Sequence, residues 1–461
     1  MLKSLSVVML TFLTHVSQAQ YLKTYHLDLA RLAFKDKKVF ASGDWCIIPE
    51  KYDHKFYSDK DLKIESSLCD IDLENMSSNF GVCGKIVNTN PSFDIFNFNQ
   101  QMDRKSFEKN ECYIHSQATP LETKKIAKLK QTITCSYTPS ILAYYHISRF
   151  LGDIGNVPVA VLRTAPKHYL NQKANDTIRF LNTKPKSIIH LTWPTLVKAL
   201  NDTNSKRNKY LMTSDARFSF GALVSNPTSE RYWAEYAHHA QGDQMLRASE
   251  FKKTSLYQML IEQQPINKII SREYSQSNLQ KLYELADFSD MIILDTILKQ
   301  EDRYNNIAYE IDTYRANVLP LKKVSKKEQK EILDQNLQVD LWQIKRLVLK
   351  DNDCGLASED DIARTNINVK SKISLELAHM KETTYKALLK LALELNQKDR
   401  KLELFLKENT LMTDKDFTTF KKTTLDYSKF LYDRCLNGSL KLDLEPKNFF
   451  ENGNTNWSCH L

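Results

Sequence analysis

The chain reads MIILDTILKQEDRYNN from Met291 to Asn306. The apolar residues at the start of this stretch follow helical spacing, and Ser289 is a residue type that commonly begins a helix, so we predict a helix from that serine. The helix leads into a polar turn that carries Asp302 and Arg303. An Asp-Arg pair in this position is typical of a surface ion pair or of a catalytic carboxylate, and the stretch alone leaves both open.

A second polar turn follows a short apolar segment. The chain reads RLVLKDNDCG from Arg346 to Gly355, which predicts a strand that ends before Asp351. Asp and Asn are frequent in plain turns. ATP-dependent phosphoryl transfer needs two such carboxylates, one for the acceptor hydroxyl and one for the metal that bridges the phosphates. An amide near the first carboxylate can complete the shell of a hard divalent ion.

Two earlier segments give these turns a context. The chain reads ILAYYHISRFLG over residues 141–152, within a helix predicted from 138 to 152, and VPVAVLR over residues 157–163. Together with the two polar turns, these segments resemble the secretory-pathway kinases, the Golgi casein kinase and four-jointed group. The resemblance implies an α+β, two-lobed, protein-kinase-like fold with a mixed N-terminal lobe and a mainly helical C-terminal lobe.

The resemblance also implies roles for single residues. Asp302 corresponds to the catalytic carboxylate, and Asp351 to the metal ligand, with Asn306 as a second metal ligand. For the lysine that holds the phosphates we choose Lys130, with Lys128 second. The implied ligands are ATP with Mg or Mn and a protein or glycan hydroxyl acceptor.

The chain departs from the family's motifs at several points. Ile141 stands where the family's helix carries a glutamate, and Tyr304 replaces the histidine of the catalytic motif. Glu122 is the acid that we expect to substitute for the glutamate, and the Lys-rich stretch 321–340 is expected to be an insertion. Two alternatives to an exported kinase therefore stay open: an inactive kinase-like protein that binds a partner, and an unrelated disulfide-rich secreted binding protein.

The N-terminus predicts export. Lys3 is followed by a mostly apolar run over residues 5–13 and by small residues up to Ala19, which is the pattern of a secretory signal peptide cleaved after that alanine. The run is too short to span a bilayer, and no later segment reaches spanning length, so we expect no transmembrane segment after cleavage. The expected location is the periplasm, the extracellular space or a secretory lumen.

Eight cysteines lie beyond the predicted signal peptide. They form no Cys-x-x-Cys pair, so a zinc site is not expected. An even number in an exported chain predicts up to four disulfide bonds, whose connectivity the spacing leaves open. As a guess we pair Cys112 with Cys135, which would fasten the irregular first part to the helix that follows.

The rest of the sequence predicts how the chain is organised. We predict strands over 209–212 and 218–224 and a helix through Ile373 and Leu395. The net charge of +9 is spread through mixed Lys/Glu stretches, so nucleic-acid binding is not expected. The expected divisions are a signal peptide (1–19), an irregular disulfide-containing part with the first strands (20–130), the rest of the N-terminal lobe (131–250) and the helical C-terminal lobe (251–461).

Overall fold

The computed structural model describes residues 27, 35–75, 79–87, 89–98, 103–113, 123–226, 231–236, 243–304, 306–316, 318, 321–335, 337–359, 362–452 and 457–461. Its strands are β1 Lys37–Val39, β2 Trp45–Ile47, β3 Phe80–Gly84, β4 Ser92–Asn97, β5 Lys124–Lys130, β6 Ala160–Pro166, β7 Phe218–Ser225, β8 Arg231–Tyr232, β9 Ile307–Arg315, β10 Lys323–Val324 and β11 Leu341–Leu349. The predicted signal peptide lies outside the described residues.

Helices dominate the second half of the chain. They are α1 Asp59–Cys69, α2 Arg104–Ser106, α3 Thr138–Phe150, α4 Lys167–Leu181, α5 Ile189–Asn201, α6 Gln244–Lys252, α7 Ser255–Ile261, α8 Ile266–Ile269, α9 Gln276–Ile297, α10 Lys326–Asp334, α11 Ile367–Lys370, α12 Ile373–Glu376, α13 Glu382–Leu395, α14 Lys401–Thr410 and α15 Asp414–Leu436. None of the helices in these described ranges is long and apolar enough to cross a membrane.

The first half forms an antiparallel sheet of seven strands in the order β1-β2-β6-β7-β5-β4-β3. One hydrophobic cluster packs around this sheet, and a second, larger cluster is built mostly from the C-terminal helices. The α+β prediction, with a mixed first part and a mainly helical second part, is confirmed.

Helix α3 lies between these two clusters. It begins with Pro139 in its first turn, where the missing N–H of proline costs no hydrogen bond. All thirteen of its residues are buried, because it contacts β6 and β7 on one side and α9 and α14 on the other. The predicted helix and the predicted strand 218–224 are both present, whereas residues 209–212 are not a strand. They include the end of a single 3₁₀ turn, Asn208–Tyr210, and Met212 forms only an isolated bridge with Ser219.

Helix α9 is longer than predicted. Its N-cap is Ser275, whose side chain accepts from the Asn278 N–H, and Ser289 lies in its buried middle. The Ser289 hydroxyl donates to the carbonyl of His379 at 3.0 Å. The predicted start was wrong because Leu279 and the apolar residues that follow it continue the buried face towards the N-terminus.

One other prediction needs correction. The predicted helix through Ile373 and Leu395 is two helices, α12 and α13, and the segment between them includes His379, which forms a parallel bridge with Lys441. The Lys-rich stretch 321–340 contains β10 and α10 and connects β9 to β11.

All eight cysteines are paired, as Cys46–Cys69, Cys83–Cys112, Cys135–Cys354 and Cys435–Cys459. The expected Cys112–Cys135 bond was wrong. Cys112 lies in a small apolar cluster with Phe107 and Cys83 of β3, so its nearest partner is on that strand. Cys135 lies before α3, beside the turn that follows β11. Cys112 and Cys135 are therefore in different parts of the fold, although no other cysteine lies between them in the sequence.

Candidate active site

The β9–β11 hairpin explains how two polar turns that are far apart in the sequence meet. The strands are antiparallel, and Ile307, the first residue of β9, pairs with Leu349, the last residue of β11. Asp302 precedes β9 by a few residues and Asp351 follows β11, so both turns lie at the same end of the hairpin. The residues between the two turns form the two strands of the hairpin and, at its other end, the Lys-rich stretch 321–340.

Lys130, the last residue of β5, reaches the second turn. Its Nζ lies 2.6 Å from Asp351 Oδ1 and 3.1 Å from Asp353 Oδ2, and all three side chains are nearly inaccessible to solvent. Burial alone would favour the neutral acid, but the charge of Lys130 holds the pKa of Asp351 well below its ordinary value. Two residues predicted for the nucleotide site, from opposite lobes of the fold, are thus in direct contact.

Arg303 holds the turn after β11 in place through hydrogen bonds. Its fully buried guanidinium donates to both carboxylate oxygens of Asp295, at 2.7 and 2.9 Å. It also donates to the Lys350 carbonyl at 2.6 Å and to Asn352 Oδ1 at 2.7 Å. The Asn352 amide in turn donates to the Leu349 carbonyl at 2.8 Å, so both ends of that amide are used within the turn.

Helix α3 and a disulfide hold the turn from the other side. The Ser140 hydroxyl donates to the Asn352 carbonyl at 2.7 Å, and the Tyr137 N–H donates to the Asp353 carbonyl at 2.8 Å. The Cys135–Cys354 bond adds a covalent link. A side chain at Gly355 would place a Cβ only 2.8 Å from Ser140 Oγ, so this position needs glycine. Ser140 and Ile141 lie at the start of α3, and the helix contacts the turn through the Ser140 hydroxyl.

Asp302 lies near the second turn, where the neighbouring Glu301 N–H donates to the Cys354 carbonyl at 3.0 Å. The Asp302 carboxylate accepts hydrogen bonds from Gln244 and, at 3.2 Å, from Arg247, both on α6, and its side chain stays partly exposed. Burial raises its pKa above the ordinary value, and the negative charges of Asp353 and Asp351 add to the effect against these two hydrogen bonds. The carboxylate is therefore close enough to the second turn to sense its charge, and remains open to an incoming group.

The other predicted site residues have distinct surroundings. Asn306 Nδ2 donates to the Asp302 carbonyl at 2.9 Å, which leaves the amide oxygen as the atom able to bind a metal. Lys128 is two residues before Lys130 on β5, so both side chains lie on one face of the strand and line the same pocket with Asp351. Glu122, the acid expected to substitute for the family's glutamate, lies outside the described residues.

Sequence reasoning missed several residues of this cleft. Lys85 follows β3 and Lys350 follows β11, and burial together with the charge of Lys128 lowers their pKa values to about 8 and about 6. From the sequence, Asp353 was interpreted only as part of a turn, although both Asp353 and Asp351 form ion pairs with Lys130. The sequence could have indicated Lys350 through its position directly before Asp351, because a charged residue at the end of a buried strand needs polar surroundings.

Gly81 and Gly84 of β3 are positions where a side chain would not fit. A Cβ at Gly84 would collide with the Thr177 and Trp193 side chains, which belong to the α4–α5 pair. A Cβ at Gly81 would collide with the ring of Phe107. Both glycines let neighbouring side chains approach the β3 backbone closely.

The residues fit a divalent ion bound together with phosphates. Mg²⁺ is usually held by one or two carboxylates plus substrate phosphates and water, and Asp351 and Asp353 supply such carboxylates. The described residues contain no group of three or more His, Cys, Asp or Glu that would form an all-protein metal cage. The donor set therefore suits a metal–nucleotide complex better than a permanently bound ion.

Comparison with known proteins gives a structural likeness. No protein-family model and no curated protein matches the chain. The structure is similar to the crystal structure of the Golgi casein kinase with Mn/ADP bound, at a TM-score of 0.39 and 13% sequence identity, covering 81% of this chain and 76% of that chain.

Proposed function

We propose that this protein is an exported, kinase-like phosphotransferase that moves the terminal phosphoryl group of a metal-bound nucleotide to a hydroxyl acceptor. The observation that carries the proposal is the junction of Lys130 with Asp351 and Asp353, with Asp302 in the neighbouring turn. A cation for phosphates, carboxylates for a metal and a separate carboxylate for the acceptor are the parts that phosphoryl transfer requires.

Each residue has a defined task in this scheme. Lys130 binds phosphate oxygens, and Asp351 and Asp353, with the Asn306 oxygen, hold the ion. A bound Mg or Mn ion would neutralise charge on the phosphates. Asp302 accepts the proton of the acceptor hydroxyl while the acceptor oxygen bonds to the terminal phosphorus and the bridging P–O bond breaks, leaving a nucleoside diphosphate.

The setting of Asp302 suits a proton acceptor. The carboxylate is held from behind by Gln244 and Arg247, which orient it, while burial keeps its pKa raised. A base with a raised pKa takes up a proton more readily than an ordinary carboxylate. Arg303 acts at one remove, because it holds the backbone and amide of the second turn in place and contacts neither phosphate nor acceptor in this scheme.

One observation favours an inactive relative that binds a partner. In the structure Lys130 is paired with the two carboxylates assigned to the metal, and the start of α3 offers Ser140 and Ile141 where the family has an acid. An ion entering the site must separate this pair. If the pair is permanent, the cleft is a structural junction and the protein acts through binding.

Four disulfides in the described part of the chain are typical of a protein from an oxidising compartment. We therefore propose export to the periplasm, the extracellular space or a secretory lumen, with proteins or glycans as acceptors. The test is incubation of purified oxidised protein with γ-labelled ATP, Mg or Mn, and panels of hydroxyl-bearing peptides and glycans. Label on any acceptor that disappears with EDTA supports the kinase, and no label with either metal favours the inactive relative.

A further inference from the structure

The cleft contains more lysines than a single phosphate-binding residue explains. Around the Lys130–Asp351 pair lie four further lysines that interact electrostatically with one another or with Asp351, namely Lys85, Lys125, Lys128 and Lys350. They come from three strands that meet at the cleft: the end of β3, the middle and start of β5, and the end of β11.

The carboxylates nearby do not balance these charges. Asp351 and Asp353 pair with Lys130, and Asp94 lies 3.4 Å from Lys125 Nζ. Lys85 and Lys128 have no carboxylate within ion-pairing distance in the part of the chain that the structure describes. The lysines of this cleft therefore outnumber the aspartates.

Both uncompensated lysines are nearly inaccessible to solvent, at 9% exposed for Lys85 and 6% for Lys128. A buried ammonium without a counter-ion is unfavourable, because it has lost its water without gaining an opposite charge. The lowered pKa of Lys85 reflects this cost, which stems first from burial and then from the charge of Lys128. An anion with several charges relieves it.

We propose that Lys85 and Lys128 bind the phosphates of a nucleoside triphosphate directly, so that this protein binds the nucleotide without a divalent ion. The inference rests on the proposed function for the identity of the site and deepens it by separating two requirements. The metal is needed for transfer, whereas the lysines suffice for binding.

The proposal predicts that substitution of Asp351 and substitution of the two lysines change metal-free nucleotide binding in opposite directions. Without a metal, the Asp351 carboxylate repels phosphates, so Asp351→Asn strengthens metal-free binding. With Mg present, the same change removes a metal ligand and weakens binding. Lys128→Gln and Lys85→Gln weaken metal-free binding, because each removes a phosphate contact.

The test is isothermal titration of the oxidised full chain with the β,γ-imido analogue of ATP, once in EDTA and once in Mg. Wild-type protein is expected to bind in both buffers with Kd values within about tenfold. The double variant Lys85→Gln/Lys128→Gln is expected to lose at least tenfold in EDTA, and Lys128→Arg to retain binding because it keeps the charge. Lys401→Gln, at an exposed lysine, is the matched control.

Binding that occurs only with Mg, or an EDTA affinity that the lysine variants leave unchanged, would overturn the inference and leave the proposed phosphotransferase standing. Binding in neither buffer would overturn both. Thermal unfolding of each variant in the absence of nucleotide identifies a folding defect, and a double variant that unfolds early is replaced by the single variants Lys85→Gln and Lys128→Gln.

Discussion

Arg303 Nη2 donates a 2.7 Å hydrogen bond to Asn352 Oδ1, joining two turns that are 49 residues apart in the sequence. Through this contact the residue next to the proposed base holds the residue next to the proposed metal ligand. The relative position of Asp302 and Asp351 is therefore set by a buried arginine that takes no part in the chemistry.

We expect Arg303→Met to destabilise the protein strongly. The guanidinium is fully buried with Asp295, and removing one partner of a buried pair leaves an uncompensated charge, at a cost of about 3–5 kcal/mol in the free energy of unfolding. Urea unfolding measures the loss. Arg400→Met is the control, because Arg400 pairs with Glu403 on the surface and its removal should cost far less stability. Equal losses in the two variants would contradict the assigned role.

Asp302→Asn should stop transfer while the fold stays intact. The amide is nearly isosteric with the carboxylate but cannot take up the acceptor's proton, and loss of a general base typically costs about 10²–10⁴ in rate. The rate of labelled phosphate transfer is the measurement. Arg247→Gln, which removes one hydrogen bond to Asp302, should have a smaller effect. A variant with wild-type rate would show that another group accepts the proton.

His146 should make the protein less stable in mild acid. Burial, with the positive charges of Lys51 and Arg149, lowers its pKa to about 3, while Tyr57 forms a 2.7 Å hydrogen bond with Nδ1. In the unfolded chain the pKa is about 6.5. Between these values the unfolded state binds one more proton, so the free energy of unfolding falls as the pH falls.

At pH 5 this effect should cost about 2 kcal/mol relative to neutral pH, from about 1.4 kcal/mol for each pH unit below 6.5. Urea unfolding of wild type and His146→Gln at pH 7 and pH 5 isolates it, since other groups titrate in both proteins. The wild type should lose about 2 kcal/mol more than the variant. The same loss in both would refute the assignment.

The four disulfide bonds should differ in how much each contributes to the free energy of unfolding. In the loop-entropy model, the Cys135–Cys354 bond, with a sequence separation of 219, is worth about 5 kcal/mol, and the Cys435–Cys459 bond, with a separation of 24, about 3 kcal/mol. Alanine pairs at each bond, compared by urea unfolding, give the order. A larger loss for the shorter loop would contradict it.

Two of the three main site residues proposed from the sequence, Lys130 and Asp351, are in direct contact. Asp302 and Asp351 were chosen because each follows an apolar element, and Lys130 because the resemblance implies a lysine that holds the phosphates. The order of the two parts of the fold was predicted from the change along the sequence from mixed strand and helix patterns to mainly helical patterns. These features are local or periodic, which is what sequence patterns report.

What failed depended on long-range packing. Cys135 pairs across the cleft with Cys354, which no spacing rule indicates. Ser289 resembled a helix start, although tertiary contacts bury it in the middle of α9. Lys85 and Lys350 join the cleft only because three strands meet there. Partners contributed by distant elements become visible only when the fold is known.

The most direct test of the central claim is the binding of ATP with Mg by wild type, Asp302→Asn and Asp351→Asn, followed by isothermal titration. We predict that Asp302→Asn binds within about threefold of wild type, because its role is with the acceptor. We predict that Asp351→Asn binds more weakly than wild type when Mg is present, because the ion loses its main anionic ligand. Equal affinities for all three proteins, or no binding by wild type with Mg or Mn, would contradict the assignment of this cleft.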